Sequence, residues 1–279
     1  RAARASVGQL RASKVWSAVV ARTRQFDSIG HVLRASDFKQ AWSDDGCSMW
    51  FRCPEGATSF EFRLVCHIDA PLVHCFARNS EHDMLPKHEP NLVGPPRVLC
   101  ADHPRRLVTH TLLSFLLFRL EMVFEVFRFP DTQFGFMAEY ISSDFPTDGV
   151  EMPPKRLRNV RLSVSSKSVW MSVGGGQPGT ILVQGTQGES PFPITERLLS
   201  FFLSHLAPSV CNNLRQSARL VSKPNSGYHE RMQEDAQGIY SECLGIEAAA
   251  AGRPAVTVDS LPSSDLFDRA MRLEMPSPG

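Results

Sequence analysis

The segment from Ser190 to Val221 constrains the fold of this chain most strongly, because its apolar residues recur with the period of an α-helix. A hydroxyl and two prolines at Ser190, Pro191 and Pro193 suit a helix start, where a side chain caps free amides and a missing N–H costs nothing. Burying the apolar stripe contributes roughly 10 to 20 kcal/mol before entropy, against about 3 kcal/mol for Pro208. We therefore expect one long, kinked helix with a buried face. The stripe consists of Leu199, Phe202, Leu203, Leu206, Val210, Leu214 and Val221.

Upstream of this helix, alternating apolar and polar residues predict a series of strands. A short helical turn is predicted at 38–42, and a helix is predicted from Asp69 to about Met84. Phenylalanine and valine favour strand within 107–129, although the leucines there also fit a helix. Neighbouring strands joined by short turns and followed by one helix predict an α+β fold with an antiparallel sheet. The predicted strands are 48–53, 60–68, 98–100, 107–129, 134–142, 159–165, 168–173 and 180–186.

Charge divides the chain into three predicted parts. Residues 1–35 hold seven basic residues against one acidic residue and predict a basic amphipathic helix. Such a helix either packs on its own domain or makes transient contact with an anionic membrane. Residues 36–222 form the predicted main domain, and residues 223–279 hold nine acidic against five basic residues, which predicts an acidic, largely disordered tail. The middle part is close to neutral, so no nucleic-acid partner is expected.

Cysteine spacing and hydropathy indicate the cellular compartment of the protein. The seven cysteines show no paired CxxC spacing, which argues against a disulfide framework and a zinc ribbon. Free thiols are typical of a reducing compartment, so a cytoplasmic protein is expected, peripheral at membranes if it contacts them. No apolar run approaches the roughly 20 residues of a membrane span.

Motifs for metal, phosphate and catalytic chemistry are missing from the sequence. Histidines and cysteines between Cys66 and His88 lack HExxH or CxxC spacing, so no metal and no cofactor are predicted. The glycines of 174–179 precede a strand rather than a helix, which predicts a hairpin turn and not a phosphate-binding loop. No GxSxG motif occurs and nothing defines a triad. No catalytic residue is therefore predicted.

Three local sequences match the pattern of a known family, namely residues 158–219, FRLVCHIDAPLVHCF and EYISSDFP. In this order of elements they resemble the START (StAR-related lipid-transfer) family of the helix-grip superfamily. Residues 158–219, RNVRLSV through RQSAR, are similar to the family's three strands, P-x-P helix start and long helix with a LAP interruption. FRLVCHIDAPLVHCF resembles its strand and D-A-P helix start, and EYISSDFP its later strand and loop. The resemblance covers about Ala35 to Val221. The family's Arg-Asp pair is not reproduced, because Leu120 follows Arg119.

The resemblance implies a helix-grip fold, in which a curved antiparallel sheet wraps around a long C-terminal helix and leaves a cavity between them. It implies non-enzymatic binding, transfer or sensing of a hydrophobic ligand such as a phospholipid or sterol. Each buried CH₂ of a lipid tail contributes about 0.8 kcal/mol, which holds such a ligand without covalent chemistry. The predicted lining residues are Phe136, Tyr140, Met171, Phe201, Phe202 and Leu206, and the predicted head-group residues are Arg119, Glu139 and Arg161.

Two other functions fit the same sequence. In a helix-grip enzyme of the polyketide cyclase kind, Glu121, Glu125 or Glu139 would act with a histidine on a polar aromatic substrate inside the cavity. In a regulatory domain of a larger protein, the cavity would be filled and the surface would bind partners. An apolar cavity would favour the hypothesis of lipid binding, and a closed core would favour the hypothesis of a regulatory domain.

Overall fold

The computed structural model describes residues 37–54, 57–103, 106–115, 118–131, 135–147, 149–154, 159–191, 193–236 and 238–261. The basic helix predicted for residues 1–35 lies outside these ranges. No helix in the described ranges is long and apolar enough to cross a membrane.

A single curved sheet of ten strands dominates the described residues. Its order is β1-β2-β3-β10-β9-β7-β6-β5-β4, and every pairing along this path is antiparallel, while β8 pairs in parallel with β6. Pairing of β3 with β10 joins the early and late parts of the chain. The strands are β1 Lys39–Asp44, β2 Cys47–Arg52, β3 Ser59–Ile68, β4 Arg97–His103, β5 Arg106–Phe115, β6 Phe118–Asp131, β7 Phe136–Ser142, β8 Asn159–Arg161, β9 Ser163–Ser172 and β10 Thr180–Glu189.

Helices cover one face of this sheet. They are α1 Leu72–Ser80, α2 Glu196–Val221, α3 Tyr228–Glu234 and α4 Ile239–Ala251, with a 3₁₀ turn at Leu85–Lys87. The long helix α2 begins after Thr195, whose hydroxyl accepts a hydrogen bond from the Leu198 amide at 3.3 Å. It therefore starts later than predicted from Ser190, which instead extends the pairing of β10 with β3 by donating its amide to the Thr58 carbonyl. Helix α2 runs through Pro208 and packs against α1 and strands β1 to β3.

The two faces of the sheet bury different cores. We call the helix-covered face the inner face, and it carries Met137, Trp170 and Leu182 in the same cluster as the helices. The outer face carries a second apolar cluster that includes Phe136 and is covered in part by residues 256–261. The central strands therefore carry apolar side chains on both faces of the sheet. The α+β fold with an antiparallel sheet and a long closing helix is confirmed.

Several predictions of local structure are wrong. The single strand predicted at 107–129 is two antiparallel strands, β5 and β6. Residues 38–42 were expected to form a helical turn, but Lys39–Asp44 is an edge strand because its backbone pairs with β2. Tertiary pairing overrides the weak local helix preference of such a short segment.

The description of residues 223–279 as a largely disordered tail is wrong for residues 228–251, which form α3 and α4. Tyr228, Cys243 and Ile246 are fully buried in the core, and Glu247 accepts a hydrogen bond from the Val73 amide in the first turn of α1 at 2.9 Å. Alanines on several sides of α4 hide its helical periodicity, so the sequence pattern does not reveal the buried face.

Candidate ligand-binding groove

A groove lies between the inner face of β5 to β7 and the chain from the end of α1 through residue 96. One part has a free volume of about 190 Å³ and a neighbouring part about 250 Å³, and both are lined by His82, Pro96 and Arg128. We refer to the two parts together as the groove. Apolar lining comes from Leu85, Leu92, Leu107, Leu113, Phe124, Val126 and Ile141, and polar lining includes Arg78, Asn79, Glu89, Thr109, Thr111 and Glu139.

A buried ion pair forms the floor of the groove. Strand pairing places Arg128 of β6 directly opposite Glu139 of β7, and Arg128 Nε donates to Glu139 Oε2 at 3.0 Å. The Asn79 side-chain amide lies 2.9 and 3.1 Å from the two Glu139 oxygens and donates to that carboxylate. The Arg128 guanidinium also lies 5.6 Å from the centre of the Phe76 ring. These contacts fix both charges in the low-dielectric interior, where each is costly without its partner.

Further ionisable groups line the groove beside this pair, among them Arg78 and His82. Arg78 is buried; its Nε donates to Ser217 Oγ at 3.0 Å, it forms an ion pair with Glu89, and burial lowers its pKa. Burial, followed by the positive charge of Arg128, lowers the pKa of His82 to about 4, so His82 is neutral at pH 7. In the part of about 190 Å³, the guanidinium groups of Arg78 and Arg128 are therefore balanced by the carboxylates of Glu89 and Glu139. The part of about 250 Å³ adds Arg106, Glu81 and Asp83.

A second charged cluster lies on the outer face, away from the groove. Glu121 Oε1 lies 2.9 Å from His110 Nε2, and Arg161 Nε donates to Glu121 Oε2 at 3.1 Å. Burial raises the pKa of Glu121, but hydrogen bonds from Arg161 and His110 together lower it below its ordinary value. Glu125, four residues after Glu121 on the same face of β6, forms an ion pair with Arg106, which also lines the groove. Of the three acids in the enzymatic alternative, only Glu139 reaches the groove.

The predicted site residues on the sheet fall on both faces. Phe136, Tyr140 and Met171 lie in the outer-face cluster, on the opposite side of the sheet from the groove. Arg119 is exposed near the start of β6, and Arg161 is held by Glu121 and by the Pro153 carbonyl. Glu139 is the predicted head-group residue that lines the groove.

The predicted site residues on α2 are not among those that line the groove. Phe201 is 54% exposed and its ring contacts Phe202 and His205. Phe202 and Leu206 are half-buried. The buried face of α2 consists instead of Leu199, Leu203, Ala207, Cys211, Leu214, Ser217, Ala218 and Val221.

Sequence reasoning missed Arg78, Asn79, His82 and Arg128. A signal for Arg128 was present, because it continues the apolar alternation of residues 120–126 on β6 as a charged residue on the buried parity. The other three follow from how the end of α1 packs on the sheet, which no local pattern indicates.

Comparisons with known proteins identify the fold. No protein-family model and no curated protein matches the chain. Among solved structures, human STARD10 matches with a TM-score of 0.58 at 13% identity, covering 84% of this chain and 90% of that chain. Human StAR-related lipid transfer protein 5 matches with a TM-score of 0.58 at 13% identity, covering 74% and 99%. The human StarD13 (DLC2) lipid transfer and protein localization domain matches with a TM-score of 0.54 at 15% identity, covering 70% and 93%.

These matches confirm the predicted resemblance at the level of the fold. The chain has the helix-grip fold of START domains: a curved antiparallel sheet closed by a long helix on the C-terminal side of its strands.

Proposed function

We propose that this chain binds a lipid or lipid-like amphiphile in the groove and catalyses no reaction on it. The observation that carries the proposal is the groove on the inner face, which combines leucine, valine and phenylalanine side chains with the Arg128–Glu139 pair at its floor. Two of the similar structures are named for lipid transfer, which supports the same class of ligand. Lipid tails suit the leucines and phenylalanine of the lining, and a polar head suits the floor.

The charge balance of the groove favours a neutral or zwitterionic head group. A hydroxyl or amide both donates and accepts, so it matches the Glu139 carboxylate and the Arg128 guanidinium together. An anionic head group beside the Arg128–Glu139 pair would upset the balance between the two guanidinium groups and the two carboxylates of that part of the groove. We therefore propose a sterol hydroxyl or a phosphocholine-like head, with Glu139 and Arg128 as its polar contacts.

Entry of a whole lipid requires the groove to widen, since its two parts of about 190 and 250 Å³ are each smaller than ordinary ligand pockets of roughly 300 to 1,000 Å³. Residues 81–96 form its outer wall. This segment is tied to β5 by hydrogen bonds from the Val93 amide to the Leu112 carbonyl, 2.9 Å, and from the Ser114 amide to the Asn91 carbonyl, 2.7 Å. Such a short bridge opens at much lower cost than a full strand ladder.

Native mass spectrometry after exposure to mixed vesicles tests the proposal. The vesicles contain a sterol, a phosphatidylcholine and a phosphatidylserine. We expect one sterol or phosphatidylcholine per chain in the wild type, and loss of that ligand in Leu113→Trp, which fills the groove. Leu198→Trp, at a 39% exposed position on α2, is the matched control and should keep the ligand. Absence of any lipid on the wild type, or equal loading of both variants, refutes the proposal.

A ligand-free regulatory domain is the second candidate, and the small free volume of the groove favours it. The same experiment separates the two functions, since a ligand-free regulatory domain carries no bound lipid after exposure to the vesicles. The proposed cytoplasmic location is supported by the seven free cysteines, five of which are buried. Transient contact with an anionic membrane also belongs to the proposal, because a lipid carrier must meet the membrane that supplies its ligand.

A further inference from the structure

Three cysteines that lie far apart in the sequence converge between the sheet and α2. Cys47 begins β2, Cys66 lies near the end of β3, and Cys211 lies in the middle of α2. Their sulfur atoms all lie within 4.8 Å of one another. All three residues are at most 1% exposed. This cluster lies under β2 and β3, apart from the groove on β5 to β7.

The local structure explains why the sulfurs meet. Cys47 and Cys66 are direct partners across β2 and β3. The neighbouring pair is hydrogen-bonded, with the His67 amide donating to the Gly46 carbonyl at 2.7 Å. Hydrogen-bonded and non-hydrogen-bonded pairs alternate in an antiparallel ladder, so Cys47 and Cys66 form the closer, non-hydrogen-bonded pair. Helix α2 crosses these strands and brings Cys211 from its buried face.

We propose that Cys47, Cys66 and Cys211 form a thiolate site for one soft d¹⁰ cation, Zn²⁺ or Cu⁺. Thiolates select these metals over hard cations. A zinc–sulfur bond of about 2.3 Å implies sulfur–sulfur distances of about 3.8 Å in a tetrahedral site and about 4.0 Å in a trigonal one. The observed separations, within 4.8 Å, need to close by less than about 1 Å. Side-chain adjustment alone covers that change.

Arg215 supplies a compensating charge one helical turn after Cys211. Its Nε donates to the His67 carbonyl at 3.0 Å, and it also donates to the Asp45 carbonyl, so it is fixed beside β2 and β3. A positive charge fixed beside the cluster favours thiolates over thiols, and the bound metal replaces the thiol protons.

Burial of the cluster determines how the metal enters. Because the cluster lies beneath α2, the ion binds while the protein folds, before α2 docks on β2 and β3. A bound ion then ties the helix to both strands, so it stabilises the folded state in proportion to its affinity. Binding also releases thiol protons, so it weakens at acid pH.

Refolding with metal tests the site. The full chain is unfolded in denaturant with a reductant, refolded with Zn²⁺ or with Cu⁺, freed of excess metal, and examined by native mass spectrometry and urea unfolding. We expect about one ion per chain and a higher urea midpoint than in protein refolded with a chelator. Cys211→Ser and Cys47→Ser should each weaken binding at least about tenfold. Cys243→Ser, equally buried in α4 but outside the cluster, should bind like the wild type.

Three results would overturn the site. The wild type could fold in the presence of Zn²⁺ or Cu⁺ at pH 7 and retain neither metal, or the Cys211 and Cys243 variants could bind metal equally. Two of the three thiols could also be recovered as a disulfide under reducing conditions. Circular dichroism of the metal-free variants shows whether they fold, and the two serine variants at different positions guard against one that does not. Lipid loading of the metal-free wild type keeps this test separate from that of the groove.

Discussion

Breaking the Arg128–Glu139 pair should destabilise the protein far more than replacing both partners. The side chains are 3% and 4% exposed, and Glu139 also accepts hydrogen bonds from Asn79. Glu139→Met leaves the Arg128 charge buried without a partner, and the loss of one partner of such a pair costs about 3 to 5 kcal/mol. Arg128→Met leaves the carboxylate with Asn79 alone, and we expect a cost in the same range.

The double replacement should recover most of this cost. Two methionines of similar volume remove both desolvation penalties, and apolar replacement of a buried pair ranges from neutral to stabilising by about 1 to 4 kcal/mol. Loss of the buried contact between Arg128 and the Phe76 ring offsets about 2 kcal/mol of that recovery. The double variant should therefore be more stable than either single variant.

Urea unfolding of the four proteins measures these differences as changes in midpoint and in the free energy of unfolding. Lys39→Met is the control, since Lys39 and Glu196 form an exposed ion pair with side chains 63% and 49% exposed. Pairs of that kind contribute about 0.2 to 1 kcal/mol. A single replacement at Arg128 or Glu139 that costs no more than Lys39→Met, or a double replacement that costs the sum of the singles, contradicts the reasoning.

Three further predictions concern the core and the buried ionisable groups. Ile246→Ala in α4 should lower the free energy of unfolding in urea by about 2 to 5 kcal/mol. Leu244→Ala, at a 54% exposed position on the same helix, should change it by less than about 0.5 kcal/mol. Equal effects would show that α4 is not part of the core. The pKa of His82 is about 4 in the folded protein and about 6.5 in the unfolded chain. Its contribution to the free energy of unfolding is therefore complete above pH ~6.5 and falls by up to about 3 kcal/mol toward pH ~4. His82→Gln should flatten that part of the stability profile, and an unchanged slope counts against a buried neutral His82. The pKa of Glu121 in the folded protein lies below its ordinary value, so its contribution to the free energy of unfolding is complete above pH ~4.5 and is lost as the pH falls through the folded pKa. Glu121→Gln should remove that loss of stability at acid pH. A stability profile of the variant that matches the wild type would contradict this prediction.

The sequence predicts the architecture well where one periodic pattern is strong. Alternation on β3, β7 and β10 and the apolar stripe of α2 are sufficient for an antiparallel sheet closed by a helix. These patterns arise because each element buries one side, which is the property that periodicity reports. The boundary of α2 is less accessible, since the choice between Ser190 and Thr195 as its cap depends on sheet pairing with Thr58.

The site is harder to predict because both faces of the central strands are buried. Phe136, Tyr140 and Met171 share one parity and Met137 and Trp170 the other, and both parities are apolar. Alternation shows which residues share a face, but it does not show which face the helices cover. The prediction therefore chose residues on the outer face, which residues 256–261 cover in part.

Buried charged residues on the inner face line the groove, whereas the buried acids Glu121 and Glu125 lie on the outer face. Glu139 is an acid within the apolar strand β7, and Arg128 is a charged residue on the corresponding parity of β6. The cysteine cluster gives no signal at all, because Cys47, Cys66 and Cys211 have no local spacing that a metal motif would show. Strand register and helix docking bring them together.

Residue-level mapping of a photoactivatable lipid tests the central claim most directly. A sterol or phosphatidylcholine carrying a diazirine in its tail is loaded onto the protein and irradiated, and the labelled residues are located by tandem mass spectrometry. We predict labelling at Leu92, Leu113 and Phe124, which line the groove on the inner face. Labelling confined to Phe136, Tyr140 and Met171 on the outer face, or no labelling of the folded protein, would contradict it.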